Sequence, residues 1–274
     1  MSELFSLERG DAPLLVSIPH LGTRIPAALR HLYTDEALTV ADTDWHLDRL
    51  YAFVRELGAT VIGARVSRYV IDLNRPPDDE SLYPGQTTTG LCPGETFRGE
   101  PIYKPGCAPD AAERATRVAQ YWQPYHDALA AELARLRERH ANVLLWEAHS
   151  IASVLPRLFN DKLSDLNLGT QDGRTCAAAV QQAAVDAMAA SPYRWVANGR
   201  FKGGYITRHY GAPERGIHAV QLEMCQSTYM NEHAPFDYRA ELAEAMQPTL
   251  SRMVGAALDA VKALAPTLRV HKYF

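Results

Sequence analysis

The chain has 274 residues, 47% of them hydrophobic and 22% charged, enough apolar material for a sizeable core. Its 28 basic and 32 acidic residues leave a net charge of −4, so the charge balance favours neither nucleic acid nor an anionic membrane as partner. The opening MSELFSLERGDAP is charged and no run approaches membrane-spanning length. The four cysteines (Cys92, Cys107, Cys176, Cys225) form no CxxC pair, so a cytoplasmic protein with reduced thiols is expected.

Leu14–Ile18 is a short apolar run closed by Pro19-His20-Leu21-Gly22, which predicts a strand and then a loop. From Asp42 to Leu57 the residues Leu47, Leu50, Tyr51, Val54 and Leu57 recur at helical spacing, and Gly58 supplies a stop. Residues 59–66 and 68–73 are rich in Val and Ile and predict two strands. Residues 76–109 hold most of the prolines, and a loop of that length in a compact domain usually serves function. A long helix is expected over 110–140, a strand over 142–146, an alanine-rich helix over 175–190, a strand over 217–224 and a closing helix over 238–264. Strands alternating with helices predict an α/β fold: one domain over 1–274, a mostly parallel mixed sheet, and helices on both faces.

Ligands of open α/β sheets sit beyond the carboxyl ends of the strands, so the residues delivered there carry the chemistry. The first strand delivers His20, the run near 70 delivers Asp72, Asn74 and Arg75, VLLWEAHS delivers Glu147 and His149, and VQLEM delivers Glu223. ADTDWHLD (41–48) adds three carboxylates and an imidazole. Two histidines with one carboxylate form the recurring ligand set of catalytic zinc, and a further unbound carboxylate can act as general base. Plainer explanations exist for single members. Asp42 suits a helix N-cap, Asp44 suits a first helical turn, and Glu147 suits a strand-end ion pair. Glu223 is harder to explain so, because a carboxylate in a buried strand needs a partner or a role. Taken together these residues point to a metal hydrolase.

The segments SIPHLGTRIP, ADTDWHLDRLY, SRYVIDLNR, SLYPGQTTTGLCP, LLWEAHSI, NGRFKGGYITRHYG and HAVQLEMCQSTYM, spread over nearly the whole chain, resemble the N-formylglutamate amidohydrolase family. That family is distantly similar to zinc carboxypeptidases and aspartoacylases. The resemblance implies metal-dependent hydrolysis of N-formyl-L-glutamate to glutamate and formate, the last step of one histidine-degradation route. It implies a single Zn2+, for which other divalent ions are chemically close. Those relatives carry His-x-x-Glu on one loop, whereas the third residue after His20 is Thr23. The missing carboxylate is assigned to Asp44, with Asp42, His46 and Asp48 as alternatives, and His149 fits the last ligand.

The resemblance, together with the chemistry of the substrate it implies, distributes the remaining roles. Glu223 fits the general base, Arg68 the oxyanion donor, and Glu147 a partner orienting an imidazole. Asn74 and Arg75, in DLNR, resemble the aspartoacylase segment that holds a substrate carboxylate. The second carboxylate is assigned to the basic run Arg200, Lys202, Arg208 and His209, where Gly203 and Gly204 allow close backbone approach. A zinc amidase for another small N-acyl amino acid, or a carboxylate-binding protein without catalysis, would use many of the same residues. A serine hydrolase built on Ser150 lacks the GxSxG elbow, and no glycine-rich phosphate loop is present.

Overall fold

The computed structural model describes residues 3–82, 85 and 88–266. In chain order the strands are β1 (Phe5–Glu8), β2 (Leu14–Ile18), β3 (Thr60–Ala64), β4 (Val143–Ile151), β5 (Leu166–Gly169), β6 (Trp195–Ala197) and β7 (Ile217–Cys225). The α-helices are α1 (Leu47–Leu50), α2 (Ala111–Arg117), α3 (Gln123–Arg139), α4 (Ala178–Ala189), α5 (Tyr205–Tyr210) and α6 (Ala240–Ala263). The strands form one mixed sheet in the order β1-β3-β2-β4-β7-β5-β6. The centre, β3-β2-β4-β7, is parallel throughout, while β1 runs against β3 and β5 against β7. None of the described helices is long and apolar enough to cross a membrane.

Every residue of β2, β4 and β7 is buried, as expected for parallel strands covered on both faces. Strand alternation sorts their side chains. Val16, Ile18, Leu144, Trp146, Val220 and Leu222 pack in one cluster with Val180 and Met188 of α4 and Leu250 and Met253 of α6. Leu15, Val143, Leu145, Ile217 and Ala219 pack in a second with Leu129, Leu133 and Leu136 of α3. On this second face the alternation turns polar half-way along the strands. Val143 and Leu145 give way to Glu147 and His149, and Ile217 and Ala219 to Gln221 and Glu223. The sheet thus builds its own polar end.

Two expectations are corrected. The helix expected over 42–57 is reduced to the four residues of α1 and a 3-10 turn at Ala52–Arg55, with Val40 and His46 in left-handed backbone. Local hydrogen bonds outcompete it: the Asp44 N–H donates to the His20 carbonyl (3.0 Å), and Asp42 Oδ2 accepts the Phe97 N–H (2.8 Å). Asp42 is therefore no N-cap, and Asp44 precedes the helix. The strand expected over 68–73 is a series of turns, in which Val70 donates to Ser67 (2.9 Å) and Asp72 to Leu91 (2.7 Å). Its β-branched residues serve burial instead, Val70 in one core cluster and Ile71 in another.

Elsewhere the expected elements form within a few residues. The long helix comprises α2, a π turn at Val118–Trp122, and α3. The strand expected over 142–146 runs on to Ile151, so Glu147 and His149 lie within it. Strands β1, β5 and β6, three or four residues each, and the six-residue α5 carried too little pattern to be expected. The described part of 76–109 is a loop, as expected.

Candidate active site and metal centre

Register brings the polar residues together. His149 on β4 is level with Glu223 on β7, and Glu147 with Gln221. His20 leaves β2, the neighbour of β4 on its other side, and its carbonyl receives the Asp44 N–H. His149 Nδ1 lies 3.2 Å from His20 Nδ1 and 3.2 Å from Asp44 Oδ2, and His20 Nδ1 lies 3.6 Å from that same oxygen. All three side chains are buried. They are the His/Cys/Asp/Glu group of the described residues whose donor atoms converge closely enough to hold a metal ion.

The outward nitrogens face acids. His20 Nε2 lies 2.7 Å from Asp72 Oδ1, and His149 Nε2 lies 3.3 Å from Glu147 Oε2 and 3.3 Å from Asn74 Nδ2. Carboxylates at Nε2 fix the tautomer, so each Nδ1 turns a lone pair towards Asp44. Three acceptors then face one point without a donor between them. Ligands at the 2.0–2.2 Å typical of zinc stand about 3.3–3.6 Å apart in a tetrahedron, which matches this triangle. Asp44 Oδ1, buried, has no hydrogen-bond partner. The donor set fits a divalent ion. A proton is the competing occupant: burial disfavours a charged His149, but hydrogen bonds from its ring to Asp44 and Glu147 overcome this and push it up to about 10.

Around the triangle, Asp72 acts as a hub. Its Oδ1 also accepts the Asn74 N–H (2.8 Å), and its Oδ2 accepts from Arg68 Nη2 (2.7 Å). Burial alone would raise its pKa, yet His20 and Arg68 hold it well below the usual carboxylate range. Arg68 Nη1 stands 3.9 Å from Asp44 Oδ1, and its guanidinium lies 4.7 Å from the centre of the Phe97 ring. Glu223 behaves oppositely: burial pushes its carboxyl up to about 8, against the pull of His149. A carboxylate poised near neutrality beside a guanidinium and the convergent His20-Asp44-His149 group has the character of a proton carrier.

The guanidinium of Arg75 is held by neutral acceptors, Nε on the Thr89 carbonyl (2.8 Å) and Nη1 on the Asn74 carbonyl (3.0 Å). Asn74 spends its amide on the protein: Oδ1 accepts the Ile206 N–H (2.9 Å), and Nδ2 lies 3.5 Å from Gln221 Oε1, which also accepts the Gly204 N–H (2.7 Å). A Cβ at residue 204 would fall 2.2 Å from Asn74 Nδ2, so only glycine lets this turn close on the site.

A cavity of about 90 Å³ collects these groups. His20, Arg68, Asn74, Arg75, His149, Arg200 and Glu223 line it, and Asp44 sits behind the two imidazoles. The rest of the basic run is not among the lining residues. Lys202 pairs with Asp172 at the surface (3.1 Å), Arg208 donates to the Gly203 and Leu82 carbonyls, and His209 stacks on Tyr205 (4.9 Å between ring centres). Those three residues are corrected out of the cavity wall. The rival ligands lie elsewhere as well: Asp42 is engaged with Phe97, His46 Nε2 with the Phe236 carbonyl (2.7 Å), and Asp48 is exposed on α1. Sequence reasoning passed over Asp72 as a hub, Gln221, and the apolar wall of Phe97, Ile151, Leu158 and Phe201. The alternation of β7 could have found Gln221. Nothing local in the sequence marks Phe97.

Residues 12–230 match the family model described as N-formylglutamate amidohydrolase. N-formylglutamate deformylase of Pseudomonas aeruginosa is 52% identical over 260 residues, covering 94% of this chain and 97% of its own. The enzyme of the same name from Pseudomonas putida is 51% identical over 259 residues, with the same coverage. Among solved structures, N-formylglutamate amidohydrolase from Ralstonia eutropha superposes with a TM-score of 0.78 at 26% identity, over 95% of this chain and 97% of the other. A protein of Agrobacterium tumefaciens shares the fold at a TM-score of 0.73 and 21% identity, over 95% and 96% of the two chains.

Proposed function

Since the chain belongs to the N-formylglutamate amidohydrolase family, we propose that it hydrolyses N-formyl-L-glutamate to L-glutamate and formate, with a divalent metal ion held by His20, Asp44 and His149. One observation carries the metal part of this reading: three buried acceptor atoms 3.2–3.6 Å apart, backed by Asp72 and Glu147, with no donor of their own. A divalent ion there would supply Lewis acidity, polarising the formyl carbonyl and making hydroxide available near neutral pH.

The chain's own residues account for the rest. Glu223 takes a proton from the attacking water as its oxygen bonds to the formyl carbon. It returns that proton to the amide nitrogen as the C–N bond breaks, giving formic acid and an amine, and the acid's remaining proton passes to the amine to leave formate and an ammonium group. Arg68, fixed by Asp72, donates to the oxygen that becomes negative in the tetrahedral state; losing such a donor typically costs about 100- to 1,000-fold in kcat. The substrate brings two carboxylates and the cavity wall two further guanidiniums. Arg75 takes the α-carboxylate and Arg200 the side-chain carboxylate. Asn74 holds the 203–206 turn that shapes the cavity.

Release of formate from N-formyl-L-glutamate by the purified protein, before and after chelation and on metal add-back, tests both parts. Absent turnover with metal present would remove the substrate. Full turnover in a metal-free preparation would remove the ion.

A further inference from the structure

The cavity wall carries one more piece of chemistry, the end that limits the acyl group. A formyl group differs from every other acyl group in having hydrogen where they have carbon. Whatever lies next to the scissile carbonyl on that side decides what is admitted. Arg68, 3.9 Å from the ligand Asp44, marks the carbonyl end of the cavity. The ring against Arg68 is Phe97, 4.7 Å from the guanidinium.

Phe97 is firmly placed. Its N–H is held by Asp42 Oδ2 (2.8 Å), and the Asp42 N–H in turn donates to the Tyr69 hydroxyl oxygen (3.2 Å). The loop bearing it closes through the Thr96 N–H to the Glu100 carbonyl (2.8 Å), and Arg157 holds the Thr96 carbonyl (3.0 Å). Gly99, at φ +95°, takes a left-handed conformation that lets this loop turn back. The ring packs with Ile151, Leu155 and Leu163.

A second cavity, of about 260 Å³, is lined by Phe97 and Ile151 as well, together with Leu155, Asp42 and Phe236. The same two side chains therefore line both spaces. Room for a longer acyl chain exists next to the site, and the Phe97 ring stands in the way.

We infer that Phe97 is a specificity-determining residue, closing the acyl end of the active site so that formyl amides are accepted and acetyl or longer ones refused. The inference rests on the deformylase reading above. Excluding one carbon by a rigid apolar wall is worth about 10- to 200-fold in kcat/KM.

The test compares N-formyl-, N-acetyl- and N-propionyl-L-glutamate as substrates of the parent, Phe97→Ala, Phe97→Leu and Leu155→Ala. Leu155 lines only the second cavity, so its truncation enlarges that space without opening the wall. The parent is expected to prefer formyl strongly. In Phe97→Ala the acetyl-to-formyl ratio of kcat/KM should rise about 10-fold or more, in Phe97→Leu less, and in Leu155→Ala not at all. Formyl turnover itself falls as Arg68 loses its ring, and that loss cancels in the ratio. A parent that hydrolyses the formyl compound while both Phe97 variants keep its ratio overturns the role of Phe97 and leaves the deformylase reading standing. So does a Leu155→Ala ratio that rises as far as that of Phe97→Ala. A parent inactive on the formyl compound overturns the reading and, with it, the inference.

Discussion

Glu223→Gln is expected to abolish turnover and, in metal-free protein at alkaline pH, to raise stability. The ordinary carboxyl titrates at 4.5, and burial in β7 moves Glu223 up to about 8. The unfolded chain releases that proton near 4.5 while the fold retains it to about 8. The cost of burying the ionised form therefore grows across this window and levels off above it. At about 1.36 kcal/mol per pH unit the ceiling is about 5 kcal/mol. Glutamine removes the charge and keeps the shape, but its amide brings new donors, each costing about 1–3 kcal/mol if left unmet. A net gain of about 2 kcal/mol is expected at pH 9, turning into a net loss of about 3 kcal/mol near pH 4, where the parent's carboxyl keeps its proton in fold and unfolded chain alike and only the amide's donors count. Urea unfolding of both proteins in chelator at the two pH values measures it. With metal restored, turnover should fall about 100- to 10,000-fold, as expected for a missing general base. A variant less stable than the parent at pH 9 would refute the account of burial. One whose turnover stays within a few-fold of the parent would refute the role as base.

Four other substitutions probe different parts of the site. His20→Ala and His149→Ala should lose bound metal and activity together, checked by metal analysis of the purified proteins; full occupancy in an inactive variant removes that residue from the ligand set. Arg75→Ala should raise KM roughly 100-fold with kcat little changed, because a carboxylate clamp acts alike in ground and transition states. It should also abolish the parent's preference for N-formylglutamate over its α-amide, and a variant that keeps this preference places the α-carboxylate elsewhere. Trp122→Phe keeps the ring stacked 3.6 Å from His126 but deletes the N–H that holds the Arg75 carbonyl (3.0 Å). Loss of one such bond, about 1 kcal/mol, should appear as a roughly five-fold rise in KM at constant kcat, and an unchanged KM would separate Trp122 from substrate binding.

The legible part of this protein is the part written in periodicity. Strands β2, β4 and β7 are apolar runs bounded by breakers, and α3, α4 and α6 show helical spacing, so the alternation of strand and helix could be read directly. Glu147 and His149, two apart in an apolar strand, announced that one sheet face turns polar, and Gln221 and Glu223 repeat the pattern in β7. What misled was the segment between β2 and the long helix. Its leucines and valines recur at helix- or strand-like intervals, but the backbone is committed to contacts remote in sequence: Asp44 to His20, Phe97 to Asp42, Asp72 to Leu91. Local propensity loses to such contacts, and no window of a dozen residues contains them. The basic run 200–209 misled by composition, since charge gathered in sequence is dispersed once Gly204 turns the chain into α5 and only Arg200 keeps a place on the cavity wall.

The metal and the base answer one electrostatic problem. Asp44, Asp72, Glu147 and Glu223 are all buried at the end of the sheet, and Arg68 is the buried guanidinium among them. With both imidazoles neutral, as ligands must be, four buried carboxylates face one buried cation, so three negative charges lack a buried partner. Removing such charges from water is costly unless they are paired. A divalent ion would cover two. The third is then Glu223, whose carboxyl burial pushes up to about 8 from the usual 4.5. On the proposed reading, in which Glu223 accepts and returns a proton, the buried charge would alternate between one negative and none, and the group that closes the balance would be the group that carries the proton.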